Sequence, residues 1–127
     1  MSRFLPADHS KGDESTIGGY AAVHARPAAL EGRDGMSYSV AILSDATGDD
    51  ARPFGSYFLF PRWRKIGEEG VEGHLESTFL EYGASRQEAV DALGAWLIAR
   101  AQQVLDELIE ADAVNDDRTP AENEDDA

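Results

Sequence analysis

FGSYFLFPRWRKI, residues 54–66, and VEGHLESTFLEY, residues 71–82, are two β-prone runs joined by the turn-like GEEG of residues 67–70. Aromatic and β-branched residues in runs of this length, bounded by glycines, predict strands, and the short connection predicts an antiparallel hairpin. With Glu68 and Glu69 as a two-residue turn, Lys65 pairs with Glu72, Trp63 with His74, Leu59 with Thr78 and Tyr57 with Leu80. The pairs Phe60 with Ser77 and Phe58 with Phe79 then face one side, with Arg62 and Arg64 at its end. A bulge at Pro61 would exchange the faces of those two arginines, because one inserted residue reverses the alternation.

The segment after the hairpin decides which side is covered. Ser85 precedes Glu88 by three positions, the reciprocal capping pattern of a helix start. Val90, Leu93, Leu97, Ala101, Val104 and Leu108 then recur at spacings of three and four, widened by Ala89, Trp96, Leu105 and Ile109 into one apolar face. A helix from Arg86 to about Ala111 would be ~39 Å long at 1.5 Å per residue. That matches a strand of a dozen residues at ~3.3 Å each, so the helix is expected to lie along the hairpin.

Upstream, MSYSVAI (36–42) alternates, with Met36, Tyr38, Val40 and Ile42 on one side. EGRDG (31–35) is its turn, and Tyr20–Leu30 its expected partner, an edge strand because Pro27 has no amide to donate. The predicted fold is α+β: a four-stranded antiparallel meander of two hairpins with one long C-terminal helix packed on one sheet face. The length of 127 residues fits one domain. The domain is expected over residues 17–111, between a disordered N-terminal arm (1–16) and a disordered acidic tail (112–127).

Charge divides along the same lines. The chain carries 25 acids against 11 Lys and Arg, a formal net charge of -14. Seven acids and one arginine give the tail -6, three acids and two cations give the arm -1, and -7 remains for residues 17–111. A field of that sign repels phosphate backbones and anionic membranes and favours basic partners. With no cysteine, thiol chemistry and cysteine-held metals are excluded. No run approaches the ~20 apolar residues of a membrane span, and MSRFLPADHS lacks the apolar stretch of a secretory signal. A cytoplasmic protein is the expectation.

PRWRKIG (61–67) gathers Arg62, Arg64 and Lys65 around Trp63. Glu68, Glu69, Glu72 and Glu76 are expected within reach, so the preferred reading is cross-strand ion pairing, with the tryptophan packed under the arginine stems. The sharper alternative is a single-stranded nucleic-acid surface of Tyr57, Arg62, Trp63, Arg64 and Lys65, offering rings to bases and charge to phosphates. Four strands followed by a helix is an arrangement that Whirly and PUR-type repeats also use, a likeness of architecture only. YGASRQEAVDALGAWL (82–97) resembles the strand-to-helix passage of HicB-type antitoxins over about sixteen residues. Capped helices after strands share that pattern generally, and no DNA-binding segment follows the helix, so membership of that family is not inferred.

Catalytic and metal motifs are absent on inspection. Glu72, His74 and Glu76 alternate on one strand, but side chains two apart diverge by ~6–7 Å, which suits a solvated face better than a metal site. Asp45, Thr47 and Asp49 open like a calcium loop, yet Gly48 stands at the fourth place and Ser56 where the bidentate glutamate belongs. No nucleophile elbow or phosphate-cradling glycine loop is present. Neither a catalytic residue nor a cofactor is expected.

Asp106, Glu107, Glu110 and Asp112 fall where the helix is expected to end, the position that the macrodipole reserves for cations. Their concentration marks them as the candidate contacts for a basic protein. The function expected from the sequence is therefore a non-enzymatic interaction module of the inhibitor, immunity-protein, nucleic-acid-mimic or chaperone-like class. It would dock through acidic residues or through an uncovered sheet face bearing Tyr57, Leu59, Trp63 and Leu80, a face apolar enough to invite a homodimer as well.

Overall fold

The computed structural model describes residues 6–64 and 70–126, with side chains as far as residue 113. Among these residues the sheet has six strands: β1 (Ala29–Glu31), β2 (Ser37–Ser39), β3 (Ala41–Ala46), β4 (Phe54–Trp63), β5 (Val71–Glu76) and β6 (Glu81–Gly83). All pairings are antiparallel, and β4 is the hub. Along one of its edges β2 and β3 follow one register, from Ser37 opposite Trp63 to Ala46 opposite Phe54. Val40, between them, donates its amide to the Ala28 carbonyl at 3.1 Å and so extends the β1–β2 ladder. Along the other edge run β5 and β6, and β1 lies outside β2. The expected meander is thus α+β and antiparallel, but two of its strands are interrupted.

Both interruptions on the β5–β6 edge have local causes. Ser56 opposite Glu81 keeps the predicted register, whereas Leu59 faces Glu76 instead of Thr78. Two extra residues are absorbed at 77–80, where the Ser77 hydroxyl accepts the Phe58 amide at 3.0 Å in place of a backbone carbonyl. A bulge then lies between Pro61 and Trp63. Its extra residue belongs to β5, at Gly73, whose φ of 130° only glycine adopts without strain. Strand β4 therefore keeps its alternation: Ser56, Phe58 and Phe60 are buried on one side and Arg62 continues that side. The expected pairing of Lys65 with Glu72 involves a residue outside the described set.

Three helices cover the Phe58 side: α1 (Ile17–His24), α2 (Arg86–Gly94) and α3 (Ile98–Asp126). The core joins Ile17, Leu30, Tyr38, Val40, Phe58, Phe60, Leu93, Ala101, Leu105 and Ile109, with Met36 and Ile42 packed against it. Met36, Tyr38, Val40 and Ile42 thus share the inner face, as their alternation predicts.

Residues 20–24, expected in a strand, are helical instead. Thr16 caps α1, accepting the Gly19 amide at 3.0 Å, and Ala25 ends it in the left-handed region with Pro27 just beyond. Two glycines at 18 and 19 disguise the helical composition.

The expected single helix over 86–111 is interrupted at 95–97. There the backbone of residues 15–17 comes alongside: Ile17 donates to the Trp96 carbonyl at 3.0 Å, Ile98 donates to the Ser15 carbonyl at 2.9 Å, and Thr16 bridges Leu97. The Ser85–Glu88 capping box is present, the Ser85 hydroxyl accepting the Glu88 amide and the Glu88 carboxylate accepting the Ala84 amide. Part of the segment expected as a mobile arm is in contact with the domain, Asp8 donating its amide to Val23 at 2.9 Å.

Candidate docking face on the open side of the sheet

The helices leave the other side of the sheet uncovered. On it lie Ala41, Leu43 and Asp45 of β3, Tyr57, Leu59, Pro61 and Trp63 of β4, and Val71, His74 and Glu76 of β5, as the pairings dictate. Four large hydrophobic side chains stand out as exposed among the described residues, and three share this face: Leu43 (39%), Trp63 (42%) and Val71 (45%). The Trp63 indole donates to the Ser39 hydroxyl at 2.6 Å.

Tyr57, Leu59 and Trp63 are on the open face, as expected, but Leu80 is not. The irregularity at 77–80 exchanges two neighbours: Leu80 packs against the core, and Phe79 comes out to lie over Gly55. A Cβ on Gly55 would be 2.5 Å from the Phe79 ring, so only glycine admits this packing. A row of rings results, Tyr57 to Phe79 at 5.9 Å and Phe79 to Tyr82 at 6.0 Å. Arg52 stacks on Tyr82 at 4.1 Å.

Two carboxylates flank the row. The Tyr57 hydroxyl donates to Asp45 at 3.2 Å, and Glu76 is near enough to act on the same phenol. The Tyr57 pKa is raised, first by desolvation, then by the bond to Asp45 and by the charges of Asp45 and Glu76. Among the described residues no cation lies within 4.0 Å of either carboxylate. Sequence reasoning misses this grouping because unbroken alternation puts Phe79 on the inner face. Ser77-Thr78, two hydroxyl residues inside a strand run, is the signal that the ladder is interrupted there.

The residues expected to serve nucleic acid do not share one surface. Trp63 and Tyr57 face outward, whereas Arg62 faces inward, over Gly73 and against Tyr38. The Tyr38 hydroxyl donates to Asp34 at 2.7 Å, and its pKa is pushed up to about 12, by burial first and then by that bond, with Arg62 pulling the other way. The Arg62 pKa is raised, chiefly by its polar contact with Tyr38 and further by the charges of Glu72 and Asp34. Among the described residues the buried Arg62 Nε has no hydrogen-bond partner, and neither Arg62 nor Arg64 has a carboxylate within the 4.0 Å of an ion pair. Lys65, Glu68 and Glu69 lie outside the described residues. The bulge at Gly73 also breaks the alternation expected for Glu72, His74 and Glu76, leaving His74 and Glu76 on the open face.

The acids at 106–112 are not at a helix end, because α3 continues to Asp126. Two of them hold the first hairpin turn: Asp106 accepts the Arg33 amide at 3.1 Å, and Glu110 pairs with the Arg33 guanidinium. Glu107 is exposed and Asp112 half-buried.

No protein-family model matches the chain, and comparisons with curated proteins and with solved structures found no match. Among the described residues no helix is long and apolar enough to cross a membrane.

Proposed function

We propose that this chain is a non-enzymatic interaction module that docks a basic protein on its open sheet face. The observation that carries the reading is the coincidence on one face of Leu43, Trp63 and Val71, all exposed, with the carboxylates of Asp45 and Glu76, which lack a cationic neighbour among the described residues. Exposed apolar area supplies the burial that binding needs. The overall charge of -14 steers a basic partner toward it. A second copy of the chain would bring like charges together, which ranks a homodimer behind a basic partner. Single-stranded nucleic acid ranks behind as well, since the outward rings stand beside carboxylates and Arg62 faces the other way. Of the helix acids that the sequence suggests for docking, Asp106 and Glu110 are occupied by Arg33, so the open face is the better candidate.

The test immobilises the full chain and a Leu43→Glu/Trp63→Glu variant, and compares the basic proteins each retains from cell extract at low and high salt. Salt-sensitive retention of a basic protein by the native chain, weakened about tenfold or more in the variant, is the expected result. Equal retention by both removes the open face from the proposal. A concentration-dependent dimer in sedimentation, abolished by the same variant, gives the face to a second copy instead.

A further inference from the structure

We infer that the cleft lined by Asp45, Tyr57, Glu76, Ser77, Thr78 and Phe79 receives an arginine side chain of the docked partner, an inference that rests on the docking role proposed for this face. The cleft is an open depression of about 350 Å³. It lies where Thr78 and Phe79 leave the ladder, between Ser77 and Leu80, whose amides still donate to the Phe58 and Ser56 carbonyls, so it arises from the same two-residue irregularity that brings Phe79 outward.

Its lining selects for a cation. Tyr57 and Phe79 meet edge to face, with an interplanar angle of 69°, and both line the cleft. An aromatic face attracts a cation through its quadrupole, and two carboxylates beside it add charge of the same preference. An anion would meet Asp45 and Glu76 unfavourably. A bare metal ion finds no set of three carboxylate or imidazole groups suitably placed among the described residues.

The choice of arginine over lysine comes from shape and from the chain's own precedent. A guanidinium is planar, so it stacks on a ring while its edge donates to carboxylate and hydroxyl oxygens, here Glu76, Asp45 and Ser77. The neighbouring part of the same row shows this mode: Arg52 stacks on Tyr82 at 4.1 Å while its Nε lies 3.7 Å from the Asp49 carboxylate. Tyr82 is one ring away from Phe79. The cleft repeats those parts, rings beside carboxylates, with no arginine of the described chain in it.

The experiment titrates the full chain with the peptide Gly-Gly-Arg-Gly-Gly and with its citrulline counterpart, which keeps the shape and removes the charge. Ring resonances of Tyr57 and Phe79 are followed by NMR. Saturable shifts confined to these rings and their neighbours are expected with the arginine peptide, with a Kd about tenfold or more below that of the citrulline peptide. Asp45→Asn/Glu76→Gln, two surface changes that keep shape, should lose a similar factor, while Asp91→Asn, exposed on α2 on the covered side of the sheet, should change nothing. Equal shifts with citrulline, no saturable shift, or an unaffected double variant would overturn the cleft assignment. If the cleft fails this way while Leu43→Glu/Trp63→Glu still abolishes retention of the basic protein, the docking face stands without an arginine pocket.

Discussion

The Ser56 hydroxyl donates to the Ala89 carbonyl at 2.7 Å, joining the central strand to α2 through the middle of the core. Ser56 is fully buried, and the bond satisfies it there. Ser56→Ala removes the donor and keeps the volume nearly unchanged, so the expected loss is about 1 kcal/mol, the net worth of a neutral hydrogen bond. Urea denaturation measures it. A variant as stable as the native chain would show that the bond only offsets the cost of burying the hydroxyl.

Gly19 is expected to be among the least replaceable residues. A Cβ there would overlap the Asp13 carbonyl and stand 2.6 Å from the Thr16 hydroxyl that caps α1. Gly19→Ala should cost about 1–3 kcal/mol, because backbone and cap must both move. Gly94 is the control: its nearest non-local atom would be 3.6 Å from the new methyl, so Gly94→Ala should be neutral or stabilise α2 by up to about 1 kcal/mol. Thermal melts should show a clear loss for Gly19→Ala and none for Gly94→Ala, and a Gly19→Ala variant as stable as the native chain would refute the close packing of Gly19 on residues 13–16.

Tyr38 sets an alkaline limit. Its folded pKa is about 12 against 10 for an ordinary phenol, so the folded state holds this proton more tightly than the unfolded chain does. The resulting stability is complete below pH 10 and is lost as the pH climbs toward 12. In an ultraviolet titration Tyr38 should ionise after the other tyrosines, together with unfolding. Tyr38→Phe should abolish that last phase, and its persistence would assign the phase to another residue.

Single-stranded oligothymidylate added at low salt should leave Trp63 fluorescence unchanged, with a Trp63→Phe variant identifying the Trp63 signal against Trp96. Saturable quenching that disappears at high salt would restore the nucleic-acid surface and count against a basic partner.

Much of the framework is legible in the sequence because it depends on local periodicity. The Ser85–Glu88 cap, the strand alternation around Tyr38 and the two β runs each carry their own pattern, and each is present. The candidate site is half legible: Tyr57 and Trp63 follow from strand parity, but Phe79 does not. Parity is lost wherever a side chain takes the place of a backbone partner, as Ser77 does for Phe58.

The chain's acidity, its antiparallel α+β character and its inner apolar face were thus determined by the sequence alone, since composition and short-range spacing suffice for them. Tertiary contact decided the rest. The helix breaks at 95–97 where the backbone of residues 15–17 lies against it, and Asp106 and Glu110 are engaged by Arg33 from a turn more than seventy residues away. Such choices depend on which distant backbone groups come within hydrogen-bonding distance, and spacing along the chain carries no record of that.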